Sequence, residues 1–333
     1  MLGLKTNFDV ISLGTATLDV FLRSPEMEIE KEKNGKDICV RYGAKLEVNE
    51  IHFESGGGGT NTAVTFARQG LKTASVAQIG EDFAGRKVIT DLKREGVTTA
   101  FLDIKKEIFT DYSTILWAAD GGRTILIYRG KTRLEEEGIA WGKLRARWFY
   151  VSSLEGNLGI LKKIVHNLAP RYQSQIAWNP GNRELAMKEE LMKLLPAVTV
   201  LNLNKEEMMT LLRTKEKEIK KLLKKAQALP CPFVIITDDR AGSYLWEKAS
   251  QTWWHAGVFE ETPRFETTGA GDSFGSGFVA GLIKGHSLPD CLCLATANAS
   301  SVVTKVGAKK GILTEKDFAS WPKEKLKIEK ISP

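Results

Sequence analysis

The sequence predicts an α/β fold of three layers, in which helices cover both faces of a central, mostly parallel sheet and a small antiparallel sheet stands off it. Three observations carry this. Apolar runs of strand length alternate with stretches of helical period through most of the 333 residues. The runs are continuous rather than alternating, as in strands buried on both faces. Two segments, at about residues 21–53 and 110–130, break the rhythm and read as a separate β-lid. We therefore expect one unit over residues 1–333, with the lid strands inserted in it.

In chain order, residues 8–14 (FDVISLG) predict the first buried strand. Residues 37–53 alternate and end in β-like sequence. A glycine cluster leads into a helix over 60–70, and 73–79 predict a short strand. Residues 111–128 predict a hairpin turning at Asp120, Gly121 and Gly122. Further central strands are expected over 148–152, 176–178, 198–203 and 233–237. Amphipathic helices lie between them, for example 184–195 and 215–229.

Hydrophobic residues make up 42% and charged residues 27%. That is the ordinary balance of a globular protein and excludes a disordered or fibrous chain. The formal charge is +7. The lysines between 215 and 225 alternate with acids and leucines, which reads as the solvated face of a helix. With no zinc spacing or aromatic RNA-binding motif, nucleic acid is not an expected partner. A modest positive field would suit an anionic cosubstrate. The cysteines, Cys39, Cys231, Cys291 and Cys293, form neither a metal set nor a disulfide framework. The N-terminus has no signal-peptide pattern and no apolar run is long enough for a bilayer, so a cytoplasmic protein without a membrane partner is expected.

Residues 266–272 (ETTGAGD), followed by SFGSGFVAGLIKG, carry the sharpest local signal. Gly269, Ala270 and Gly271 lack bulk, so the backbone can turn tightly and aim several N–H groups at one spot before a helix. Asp272 stands at that entrance. It reads either as a general base beside a bound phosphate or as a helix cap. Gly275, Gly277 and Ala280 match a dinucleotide fingerprint, but inside the presumed helix and without a leading strand, so the match is fortuitous.

Residues 55–63 (SGGGGTNTA) let a backbone approach a ligand closely, and Asn61 can donate and accept toward a hydroxyl. A hinge or tight strand–helix packing is the alternative. Asn204 and Glu207 follow a strand in LNLNKEE. Glu207 could hold a hydrated Mg²⁺, or the pair could form a capping box. Asp19, just past the first strand, is placed either to bind a polyol or simply to sit in a loop.

Taken together, these motifs resemble the ribokinase-like (PfkB) carbohydrate kinases over most of the chain. Residues 56–70 resemble the family's N-terminal signature, and Thr267 to Asp272 its C-terminal one. The resemblance implies the ribokinase-like fold with a β-lid, and transfer of the ATP γ-phosphoryl group to a hydroxyl of a small sugar, with Mg²⁺. It makes Asp272 the base and Gly269, Ala270 and Gly271 the anion hole. Asp19, Gly57, Gly58, Asn61, Glu155 and Arg183 fall to the acceptor. Asn204, Thr237, Gly242, Thr267 and Asn298 fall to the nucleotide, and Glu207 to the metal. Glu266 replaces the family's usual Asp at a position linked to a monovalent cation, which leaves K⁺ use open, and Asp239 replaces a frequent Gly. The acceptor could also be a nucleoside, with Tyr42 or Tyr112 as a stacking face. Residues 179–183 resemble members acting on ketodeoxy sugar acids. A catalytically silent sugar- or nucleotide-binding regulator, and a homodimer through the lid strands, complete the expectations.

Overall fold

The computed structural model describes residues 7–32, 35–118, 122–259, 264 and 267–332. Its main sheet has nine strands. From one edge these are Thr73–Val76, Phe8–Leu13, Ala146–Val151, Gln175–Trp178, Val200–Asn204 and Phe233–Thr237, all mutually parallel. Ser243–Glu247, Thr252–Ala256 and Ile328–Ile331 continue the sheet in antiparallel register. The sequence did not announce these last three. Thr252–Ala256 (TWWHA) pairs Trp253 with Trp246 and His255 with Tyr244 across the strands, and such cross-strand aromatic pairs stabilise a sheet without an apolar run.

Layering follows from strand alternation. In Ala146–Val151, Phe149 and Val151 enter one core while Trp148 and Tyr150 enter the other. The first core is closed by Leu158, Leu161, Leu191, Met208 and Leu222, all from helices on one face. The second is closed by Phe66, Phe274, Phe278 and Leu292, from Gly58–Arg68, Ala270–Ile283 and Leu288–Val302. This is the expected three-layer α/β/α arrangement. The last two helices are buried on nearly all sides. Gly277 lies against Ala295, where an added Cβ would come within 3.1 Å of its Cα, and Gly275 against Tyr150 and Asn202 of the sheet, so the fingerprint-like glycines serve close packing of this helix.

The small sheet has the order Arg123–Tyr128, Asp111–Trp117, Thr17–Arg23, Glu50–Gly56. It begins earlier than residue 21 and is not purely antiparallel, because Thr17–Arg23 and Asp111–Trp117 run parallel. The expected hairpin pairs Trp117 with Arg123, and the turn residues Asp120 and Gly121 lie outside the described residues. The alternating stretch 37–53 does not form one unit. Gly35–Cys39 pairs with Glu28–Glu32, and Glu50–Gly56 joins the small sheet.

Other boundaries shift for local reasons. The strand expected over 73–79 divides, and Gln78–Gly80 turns to pair with Asp103–Lys105. The helix expected over 184–195 breaks at Met187 into Asn182–Ala186 and Lys188–Leu194, and Pro196 follows in a 3₁₀ turn. The lysine-rich helix shortens to Ile219–Ala226, burying Leu222, Leu223 and Ala226. All four cysteines are free, and among the described residues no helix is long and apolar enough to cross a membrane.

Phe278 is fully buried and meets Phe233 edge to face, with ring centroids 6.2 Å apart. Phe278→Ala should therefore cost about 3–5 kcal/mol. Urea unfolding would show a lower midpoint at unchanged slope; an unchanged midpoint would mean this helix face is not core.

Candidate active site

The strand Glu50–Gly56 of the small sheet passes through Gly57, at φ 92, directly into the helix Gly58–Arg68. The positive φ favours glycine. At Gly58, an added Cβ would press on Ser152 Oγ at 2.6 Å and come within 3.3 Å of Asp272 Oδ1. The glycine segment therefore lies directly against the carboxylate. Asn61, one turn into the helix, donates from Nδ2 to Asp272 Oδ2 at 2.9 Å. Its Oδ1 is buried and accepts no hydrogen bond from the described residues.

Asp272 enters from the opposite side, in the first turn of Ala270–Ile283. Gly269 caps that helix at φ 79, and a Cβ there would stand 2.6 Å from Ala308 Cβ. The Ala270 N–H closes onto Thr267 O at 3.2 Å. An anion at this helix end would therefore meet the amides of the rest of the first turn, which point out of the helix end. Burial pushes the Asp272 carboxyl above the usual carboxylate range, while the Asn61 hydrogen bond and the Lys309 charge partly oppose that rise.

Asn204 and Glu207 form the capping box: Asn204 Oδ1 accepts from Glu207 N at 2.8 Å, and Glu207 Oε2 accepts from Asn204 N at 2.9 Å. Glu207 still lines a cavity. Burial raises its pKa and the Asp272 charge adds to the rise, against the Asn204 hydrogen bond. Capping one oxygen leaves the other available, so a single carboxylate fits a hydrated Mg²⁺ that shares its sphere with phosphates. Among the described residues there is no group of three or more acid, His or Cys side chains able to hold a metal by itself.

Neither of the site's two cavities is lined by Asp272 itself: one reaches its neighbours Ala270 and Gly271, the other Glu207. A smaller one, about 160 Å³, is lined by Thr237, Gly242, Thr267, Ala270, Gly271 and Phe274 among others. Asp239 lies on its wall at φ 42, a conformation that glycine would adopt more easily, with Arg264 Nη1 3.4 Å from its carboxylate. Asn298 lies behind this wall rather than on it. It is fully buried, donates to Ser273 O at 2.8 Å and accepts from Leu313 N at 2.9 Å. It thus ties two helices together, while its neighbours Thr296 and Ala299 line the cavity. Glu266 lies outside the described residues.

The larger cavity, about 500 Å³, is lined by Thr17, Tyr112, Arg129, Glu155, Arg183 and Glu207 among others. Asp19 is buried beside it and accepts from Thr17 Oγ1 at 3.2 Å. Glu155 sits at φ 53 between two guanidinium groups, Arg129 Nη1 at 3.4 Å and Arg183 Nη1 at 3.3 Å. Tyr112 reaches this cavity and Tyr42 is fully exposed.

Four contributors escaped the sequence reading. Glu184, fully buried, accepts from Leu154 N, Gly156 N and Gly181 N at 2.7–2.8 Å and so fixes the turns that carry Glu155 and Arg183. The sequence signal was the Gly181-x-x-Glu184 capping spacing. Arg129, Lys309, and Arg123, whose Nη2 donates to Thr267 Oγ1 at 2.8 Å, had no local signal.

The model of the pfkB family carbohydrate kinases matches residues 26–315. The chain is 26% identical over 341 residues to the 5-dehydro-2-deoxygluconokinase of Shouchella clausii, covering 95% of this chain and 96% of the relative. Its fold is similar to that of the Methanocaldococcus jannaschii nucleoside kinase, with a TM-score of 0.73, 21% identity, and coverage of 93% and 96%. It is also similar to that of Arabidopsis thaliana ribokinase complexed with ribose and ATP, with a TM-score of 0.74, 20% identity, and coverage of 94% and 97%.

The raised Asp272 pKa has a stability consequence with a definite sign. A carboxyl that binds its proton more tightly when folded loses stability as pH rises from about 3.9, its unfolded value, to its folded one. Asp272→Asn removes that loss. The variant's melting temperature should therefore gain on the wild type as pH climbs above about 4 and then level off, by about 1–2 °C per kcal/mol. Parallel curves across pH 3–8 would show that the carboxyl is not destabilised by burial.

Proposed function

The chain belongs to the pfkB family of carbohydrate kinases, and we propose that it moves the γ-phosphoryl group of ATP onto a hydroxyl of a small sugar, with Asp272 as general base. The observation that carries this reading is the Asn61–Asp272 hydrogen bond, which brings the glycine segment of the acceptor side against the phosphate-binding turn. The 1–333 chain acts as one kinase unit, and the small sheet is its lid.

The acceptor occupies the larger cavity beside Asp19, Gly57, Gly58 and Asn61, with Glu155 and Arg183 on its rim. The nucleotide occupies the smaller one, along Thr237, Gly242 and Thr267. As the acceptor oxygen bonds to the γ-phosphorus, the bond to the β,γ-bridging oxygen breaks and the hydroxyl proton passes to the Asp272 carboxylate. Amides of the Gly269–Gly271 turn hold the transferring group's charge. Asn61 keeps the carboxylate aimed, and Asn204 holds Glu207 in place. Mg²⁺, when bound at Glu207, supplies positive charge to the phosphate oxygens.

Among acceptors, Arg129 and Arg183 favour a sugar bearing an anionic group, because guanidinium pairs fit carboxylates and phosphates in a way a neutral polyol does not use. Tyr112 on the same wall favours the second reading, a nucleoside, through stacking.

ATP consumption with Mg²⁺ against neutral sugars, sugar acids, phosphosugars and nucleosides tests all of these readings. Turnover should depend on one acceptor class, and Asp272→Asn should lower kcat about 10²–10⁴-fold with ATP binding retained. ATP binding without turnover on any acceptor would replace the kinase with a silent regulator.

The lid carries exposed hydrophobic side chains on one face of an edge strand, Leu126 at 56% and Tyr128 at 50% exposure. We infer that two copies pair through it. Light scattering should give twice 36.9 kDa, reduced to one chain by Leu126→Lys with Tyr128→Lys; a monomeric wild type refutes the pairing.

A further inference from the structure

Behind the site stands a buried cation that the reaction above does not use. Lys309 is 7% exposed and its Nζ donates three hydrogen bonds: to Ser55 O at 2.5 Å, Ser55 Oγ at 3.2 Å and Thr60 Oγ1 at 2.8 Å. Ser55 is the next-to-last residue of the lid strand Glu50–Gly56, and Thr60 lies in the first turn of the helix that carries Asn61. Thr60 Oγ1 in turn donates to Gly56 O at 2.6 Å. One ammonium therefore ties together both ends of the glycine junction.

The surrounding segment reaches further. Lys310 pairs with Glu54 at 2.6 Å, and Gly307 packs on the Glu54 side chain, where a Cβ would come within 2.7 Å. Ala308 backs Gly269 of the phosphate turn. Arg68 donates to Lys309 O at 3.0 Å and to Ile312 O at 2.6 Å, fixing the segment from below. Residues 307–310 thus touch the phosphate turn on one side and the lid junction on the other.

Charge around Lys309 comes from several elements. Asp19, Asp91, Asp272 and Glu54 all favour its ammonium form. Asp91 already holds Lys87 at 2.7 Å and Arg94 at 3.2 Å, and Glu54 holds Lys310 at 2.6 Å.

We propose that Lys309 is a positioning residue for phosphoryl transfer: its charged ammonium locks the junction between lid strand and helix, and so holds Asn61 and the Asp272 carboxylate in register with the phosphate turn. This rests on Asp272 being the base. Only the ammonium can satisfy three acceptors at once; the neutral amine has two donors and adds no field. Burial lowers the Lys309 pKa to about 8, against the pull of the four acids. Deprotonation would then release the junction within an accessible pH range.

The test is the pH dependence of kcat, with KM measured alongside, for the wild type, Lys309→Met, Lys309→Arg and Thr60→Val. In the wild type, kcat should fall as pH passes about 8. Lys309→Met should lower kcat roughly 10–100-fold and lack that alkaline limb. Lys309→Arg, which keeps its charge, should retain most of kcat and move the limb upward. Thr60→Val removes one acceptor, which weakens the charged form and should move the limb downward. Unchanged kcat and an unchanged limb in the folded variants overturn the assignment, and if Lys309→Met does not fold, an unmoved limb in Thr60→Val does the same. Absence of any acceptor-dependent turnover in the wild type would instead remove the kinase reading itself.

Discussion

The hydrogen bond from Asn61 to Asp272 joins residues 211 positions apart, and most of the molecule is arranged so that it can form. Two helices must present their N-termini to the same point, which requires both to follow tight turns. Gly57 at φ 92 and Gly269 at φ 79 supply those turns. An acid at a helix N-terminus gains about 0.3–1 kcal/mol from the dipole, up to about 2 when partly buried. A hydrogen bond to a charged group adds about 1.5–3 kcal/mol. Burial nevertheless wins, since the net direction of the Asp272 pKa is upward. A carboxylate held in that state is a stronger base than a solvated one, and its destabilisation is the physical reason to place it there.

The sheet explains why this convergence occurs at one edge. In an open parallel sheet, loops leave the carboxyl ends of the strands and helices begin beside them. Asn204 ends Val200–Asn204, and Thr237 ends Phe233–Thr237 in register with it. Both therefore reach the same edge as the turn before Asp272. The small sheet is set against that edge by chain continuity, because Glu50–Gly56 runs without a loop into the helix that carries Asn61, and by the ties from Lys309, Lys310 and Arg123.

How far the residues announced this depends on what kind of signal each leaves. The parallel strands were legible because burial on both faces forces continuous apolar runs, and the glycine segments because their conformations exclude most other residues. Asn204 and Glu207 were legible twice over: the capping box and the cavity position are both present, since capping uses one carboxylate oxygen. The three antiparallel edge strands were not legible, because mixed aromatic and polar pairs sustain them. Lys309 was invisible for a different reason. Lysine is ordinarily exposed, and only the fold brings Ser55 and Thr60 around it from about 250 positions away. Asn298, matched to the nucleotide side, also cross-links two buried helices behind the side chains that line the cavity, a role its sequence position did not announce.

A kinase must hold water away from the phosphoryl group while admitting its acceptor, and on the proposed reading the lid's two attachments divide that work. At the junction, Lys309 is buried and makes three hydrogen bonds, so this end should stay fixed while the rest moves. At the far end, Arg123 donates to Thr267 across an exposed gap. Exposed polar contacts of this kind contribute little, because water competes for both partners. That second attachment lies beside the phosphate turn. An acceptor that engages Arg129, which follows Arg123–Tyr128 in the chain, would draw that same strand down over the cavity. Acceptor binding and closure over Thr267 then become one event, which ties exclusion of water to the presence of the molecule that is to be phosphorylated.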